Sequence, residues 1–213
     1  MQPNQLMGPL VALGSSSTRG EGASEPAITG YVGVLMRGLH EHWPGLGVRN
    51  LGRSGARMVD FVANWADVEA ARPSILTILP FTDFARTPVA RFESDLRTVF
   101  EAVERLGQAQ AAMGARYRVF FGDLRIDPMF VAEASQGGKR YRTEDFEMIQ
   151  SKNAAVARCV ASAPSVELVT VVDQNAAHPE WIGDDGHPND LGHAYLAGRF
   201  RPPIEAWIRS LAS

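Results

Sequence analysis

Five short apolar runs, each bounded by turn residues, punctuate the chain at residues 9–15, 48–52, 74–81, 117–124 and 166–173. They are rich in β-branched and aromatic residues. Several are apolar at consecutive positions, the pattern of strands buried on both faces in a parallel sheet. Between them, apolar residues recur at helical spacing. Ile28, Tyr31, Val32, Leu35, Met36 and Leu39 form one stripe, and Phe92, Leu96, Val99, Phe100, Val103 and Leu106 form a second. Ile149, Ala154, Val156, Ala157 and Val160 make a looser third. Residues 191–211 supply a last helix, which Pro202 and Pro203 are expected to kink or restart. Strands and helices alternating from one end to the other predict an α/β fold. Its five parallel strands lie between two helical layers, as one domain over residues 1–213. Ligands in such sheets bind beyond the carboxyl ends of the strands, near a topological switch point, so the loops after the strands should carry the chemistry. The one long irregular stretch, residues 123–142, contains Pro128 and Gly137-Gly138 and has the length of a lid or specificity loop.

Composition narrows the classes of function. The 213 residues carry 21 basic and 24 acidic side chains, a net charge of −3, which argues against a nucleic-acid partner with its concentrated basic face. A chain of this length buries roughly 70% of its unfolded surface and needs no metal or disulfide staple. The single cysteine, Cys159, excludes an internal disulfide and any zinc site built on several thiolates. No apolar run approaches the ~20 residues of a membrane helix, and the first residues lack the basic and apolar regions of a secretion signal. A cytoplasmic protein is therefore expected. Lysine occurs only at Lys139 and Lys152, so nearly all the cations are arginine. Codon bias accounts for such an excess, and so does a need for planar, bidentate anion recognition.

The loop after the first strand reads Gly14-Ser15-Ser16-Ser17-Thr18-Arg19-Gly20. Its hydroxyls can cap the following helix, its amides can cradle a phosphate, or one serine can act as an exposed nucleophile. Near the other end stands Asp184-Asp185-Gly186-His187-Pro188-Asn189. An Asp three residues before a His, across a turn, can fold its carboxylate onto Nδ1–H and leave Nε2 as a general base. The structural alternative is a cap on the last helix, which Asn189 and Asp190 can provide without His187. The serine loop and the Asp-x-x-His turn together point to nucleophilic catalysis, since both fall at the same sheet edge.

These residues together resemble the SGNH (GDSL-type) hydrolase family of serine esterases, over nearly the whole chain. The resemblance implies a flavodoxin-like three-layer α/β/α sandwich and acyl transfer without metal or cofactor. The first family block, G-D-S-x-T, appears as residues 14–18, with Ser15 in place of the Asp, and makes Ser16 the nucleophile. The second appears as Asn50-Leu51-Gly52-Arg53-Ser54-Gly55-Ala56, and Gly55 matches the glycine whose N–H faces the oxyanion. The third, G-x-N-D, departs from the pattern as Pro80-Phe81-Thr82-Asp83. Thr82 there replaces the asparagine amide with a shorter hydroxyl donor, and losing an oxyanion donor typically costs ~10²–10³ in turnover. The last block gives His187 as base and Asp184 as its orienter, preferred over Asp185, which lies only two residues from the His. Asn153 also falls where the family often has Asn, with a helix-surface role as the alternative.

The implied function is hydrolysis of a carboxylic ester of a small substrate through an acyl-serine. The alternatives are an acyltransferase or thioesterase using the same intermediate, and a repurposed non-hydrolytic member in view of Pro80 and Thr82. Arg53 and Arg86, with Arg19 and Arg57, lie within a few residues of the blocks and would suit an anionic substrate. The remaining candidates read as structural. His178 falls in a surface turn, His193 on an exposed helix face, and His40 and His42 at a helix C-terminus. Cys159 reads as a small buried hydrophobe. Trp181 is nearest the site in sequence, with Trp65 and Trp207 as further pocket candidates. No oligomeric state is assigned.

Overall fold

The computed structural model describes residues 8–80, 87–124, 143–171, 179–183 and 187–211. Five strands form one sheet: β1 (Leu10–Gly14), β2 (Val48–Asn50), β3 (Ile75–Leu79), β4 (Arg118–Gly122) and β5 (Val166–Val169). Their order is β2-β1-β3-β4-β5 and every neighbouring pair is parallel. This is the flavodoxin-like winding. The chain leaves β1 outward to β2, then crosses back to β3 on the other side, which puts the switch point between β1 and β3.

The helices are α1 (Ser16–Arg19), α2 (Tyr31–His40), α3 (Met58–Ala63), α4 (Trp65–Ala71), α5 (Val89–Ala112), α6 (Thr143–Ala161) and α7 (Asp190–Ser210). A short 3-10 turn spans Pro179–Trp181. Alternation along the strands divides the core into two layers. Val11 and Leu13 of β1, with Leu76 and Ile78 of β3, pack under α3, α4, α5 and α6. Leu10 and Ala12, with Ile75 and Leu79, pack under α2 and α7, whose Tyr31 and Phe200 rings stack with centroids 5.8 Å apart. The three-layer sandwich expected from the apolar pattern is present.

Three details differ from expectation. The strands are shorter than the apolar runs, because the runs include the turn residues that flank each ladder. Two short helices, α3 and α4, stand between β2 and β3, carried by Met58, Phe61, Trp65 and Val68 at helical spacing, all buried. The last helix also runs without interruption through Pro202 and Pro203. Those prolines deprive the carbonyls of Gly198 and Arg199, four residues earlier, of their helical donors. Both residues are exposed, so water can take the vacated carbonyls and the helix continues. On α6, Lys152 is fully buried, with Nζ 5.7 Å from the centroid of the Phe92 ring.

Candidate active site

Ser16 opens α1 directly after β1, at the switch point. The segment from Ser15 to Thr18 is buried, and Ser16 is 6% exposed. Ser15 makes no capping bond to the helix, and the Ser15 and Ser17 hydroxyls are buried without a partner among the described residues. The hydroxyl run therefore does not act as a cap, the structural reading of this loop. Thr18 Oγ1 lies 3.2 Å from the phenol of Tyr31, whose burial pushes its pKa up to about 12. Asn50 ties the second block to the first: its Nδ2 donates to the Thr18 carbonyl at 2.7 Å and its Oδ1 accepts the Gly52 N–H at 2.9 Å. The Arg53 N–H in turn donates to the Gly14 carbonyl at 3.0 Å. Gly55 follows with φ +71°, a left-handed conformation that favours glycine, on the exposed part of this loop.

His187 lies just ahead of α7. Its turn is closed by the Gly183 N–H on the His187 carbonyl at 2.8 Å and by the Asn189 N–H on the Trp181 carbonyl at 2.9 Å. Asn189 caps α7, its Oδ1 accepting from the N–H groups of Leu191 at 3.0 Å and Gly192 at 3.2 Å. The capping job is thus done without His187. Asp190 instead accepts from the Ser24 N–H and hydroxyl at 2.8 and 2.6 Å and from Thr29 Oγ1 at 2.8 Å, which hold its carboxyl below its ordinary pKa. The loop after α1 presses on the His187 turn, since a Cβ at Gly22 would fall 2.3 Å from the Pro188 carbonyl oxygen and 2.8 Å from His187 Cβ.

The blocks meet at a residue that no motif marked. Glu21 Oε2 lies 3.4 Å from His187 Nε2. Glu21 Oε1 accepts the Ser54 hydroxyl and lies 3.4 Å from the Arg19 guanidinium, which also donates to Ser54 Oγ at 2.8 Å. Glu21 is anchored by its backbone: its N–H donates to the Ser16 carbonyl at 3.0 Å, and its carbonyl lies 2.9 Å from His193 Nε2. His193, expected on an exposed face, is completely buried. Its Nδ1 accepts the Tyr31 N–H at 3.2 Å, so the ring proton sits on Nε2 and is given to Glu21. An orphan donor at the start of α2 thus draws this histidine inward.

The other candidates separate clearly. Asp184, Asp185, Thr82, Arg86, His178 and most of the 123–142 stretch lie outside the described residues. The Arg53 guanidinium is bonded to Asn64 and to Asp67, the latter at 3.0 Å. Asn153 does more than face the helix surface: its side chain accepts the Leu124 N–H at 2.7 Å and donates to the Leu124 carbonyl at 2.9 Å. Cys159 is half-buried, and burial raises its thiol pKa. His40 Nε2 lies 2.7 Å from the Leu46 carbonyl oxygen, and Trp181 stacks on Tyr195 at 4.3 Å. Among the described residues no three His, Cys, Asp or Glu side chains are grouped to hold a metal, and no helix is long and apolar enough to cross a membrane.

A doubly wound sheet with a serine turn at its switch point and a histidine turn pressed against the loop that follows it makes a flavodoxin-like α/β/α sandwich. Residues 12–195 match the family model described as the GDSL-like lipase/acylhydrolase family, and the chain belongs to that family. It is a hydrolytic enzyme of the lipase and acylhydrolase type. Among solved structures it resembles a putative GDSL-like lipase from Parabacteroides merdae, with 15% identity, TM-score 0.70, and 93% of this chain and 96% of that one covered. It also resembles the psychrotrophic esterase EstA from Pseudoalteromonas sp., with 15% identity, TM-score 0.69, and 95% and 99% covered. A family 3 carbohydrate esterase from Clostridium thermocellum is similar at 17% identity, TM-score 0.68, with 97% and 99% covered. At these identities the likeness is one of fold. No curated protein matches the chain.

Proposed function

We propose that the protein is a serine carboxylesterase in which Ser16 is the nucleophile, His187 the general base and Asp184 the group that orients it. Ser16 Oγ attacks the ester carbonyl and gives its proton to His187 Nε2. The tetrahedral oxyanion is held by the N–H groups of Ser16 and Gly55 and by the Thr82 hydroxyl. As the C–O bond to the alcohol breaks, Nε2 passes its proton to the departing oxygen. Water then repeats the attack on the acyl-serine and releases the acid. The observation that carries this reading is the linkage of the serine turn, the Gly55 loop and the His187 turn through Glu21, Arg19 and Ser54 at one end of the sheet. Arg53 takes no substrate role in this reading, because its guanidinium is already placed on Asp67; an anionic substrate group falls to Arg86.

A fluorophosphonate probe tests the proposal. Wild-type protein is expected to be labelled stoichiometrically, Ser16→Ala not at all, and His187→Ala at a rate lower by at least about 10³-fold. A folded wild type that resists labelling, or labelling that survives Ser16→Ala, refutes it.

A further inference from the structure

Glu21 occupies a position the mechanism has not yet used. A carboxylate only accepts hydrogen bonds, and Glu21 Oε2 lies 3.4 Å from His187 Nε2, the nitrogen that serves as base in the proposed mechanism. When Nε2 carries a proton it can donate it in a hydrogen bond to Glu21, and it then cannot take the Ser16 proton. The Ser16 hydroxyl, for its part, has no hydrogen-bond partner among the described residues. In the arrangement seen here, the proposed base faces Glu21.

The same contact locates the leaving group. Nε2 must give its proton to the departing alcohol oxygen, which therefore comes within about 3 Å of Nε2. Substituents on the neighbouring carbon of the alcohol then reach the groups around Nε2, and Glu21 Oε2 is one of them. The carboxylate is one-third exposed, and His187 is 28% exposed, so a ligand can approach both. The Glu21 loop is not free to swing away, being held by the Ser16 carbonyl, by His193 and by the close packing of Gly22 on Pro188. The exchange of partners is confined to the side chain.

We infer, resting on the serine-esterase reading above, that Glu21 is a specificity-determining latch. It selects esters whose alcohol carries a hydroxyl next to the ester oxygen. That hydroxyl donates to Glu21 in place of the His187 N–H, the Nε2 proton passes to solvent water, and Nε2 then faces Ser16 as an acceptor. A simple alkyl alcohol covers the carboxylate without offering it a donor. An alcohol bearing a quaternary ammonium gains little, because Arg19 already lies 3.4 Å from the same carboxylate and repels a second cation. Recognition of the polyol and release of the base are then one event.

The test compares 1-acetylglycerol, propyl acetate and acetylcholine, which share an acyl group, in wild type, Glu21→Gln and Glu21→Ala. Fluorophosphonate labelling of Ser16 is measured in parallel. A hydrogen bond to a charged acceptor supports a preference of about 10-fold in kcat/KM for the glyceryl ester over the propyl ester in wild type, with acetylcholine no better than propyl acetate. Glu21→Ala brings the ratio close to one, chiefly by raising KM for the glyceryl ester, and is labelled at least as fast as wild type. Glu21→Gln, nearly the same in shape, keeps an acceptor and falls between. A ratio near one in wild type, a preference that survives Glu21→Ala, or labelling slowed by that substitution overturns the inference. Loss of labelling in wild type itself is a different failure and refutes the serine-esterase reading instead.

Discussion

Replacing His193 by alanine removes a side chain that is completely buried and bonded at both ring nitrogens. The Tyr31 N–H loses its acceptor inside the core, where an unsatisfied donor costs about 1–3 kcal/mol. The Glu21 carbonyl is partly exposed and water replaces its donor at small cost. Truncating the ring adds the loss of its packing between α2 and the Glu21 loop, on the order of 1 kcal/mol for the few carbons removed. The sum is about 3 kcal/mol, which for a chain of this size lowers Tm by roughly 6–12 °C. Urea unfolding monitored by circular dichroism measures the first figure and a thermal scan the second. His193→Phe separates the causes, since it fills the space but bonds to neither partner. The same order of loss is expected from it. A phenylalanine variant within about 1 kcal/mol of wild type refutes the reasoning, because volume and not the Tyr31 N–H would then be what holds the site.

Three other outcomes are expected. Asn153→Ala leaves both backbone groups of the buried Leu124 without their partner and should cost about 2–3 kcal/mol in urea unfolding, and Asn153→Asp should not rescue it, since a second acceptor oxygen would face the Leu124 carbonyl. Asp190 has its carboxyl held below its ordinary pKa by Ser24 and Thr29, so its contribution to stability is present above the unfolded-state pKa of about 3.9 and is lost as pH falls through the lower folded value. Thermal melts from pH 6 to pH 2 should therefore fall less steeply for Asp190→Asn than for wild type, and parallel curves would contradict this. On the proposed mechanism, Thr82→Asn should raise kcat on a small ester and Thr82→Val lower it, with KM little changed; an unchanged kcat in both removes Thr82 from the oxyanion hole.

The layers of this protein were legible in the sequence because burial on one or both faces imposes a period, and each period identifies a type of element. Alternation in Leu10–Gly14 and Ile75–Leu79 assigns each apolar side chain to one of the two cores. Two features ran against simple rules. Pro202 and Pro203 suggested a break, but Gly198 and Arg199, whose carbonyls they leave without helical donors, are exposed. His193 looked like a surface residue because its spacing along α7 says nothing about which partner waits opposite it.

The sequence by itself determined the α/β class, the strands and the longer helices, and the motifs that place the chain among the GDSL-like hydrolases. These depend on residues close together along the chain, where spacing is geometry. Only the tertiary structure decided that Glu21 stands against His187, that His193 holds Glu21 by its carbonyl across 172 residues of sequence, and that Arg53 is committed to Asp67. Each of these depends on which loops the sheet order brings to the same end of the strands. No local period records that meeting, because a side chain's pattern reports the face it occupies and not the partner that closes over it.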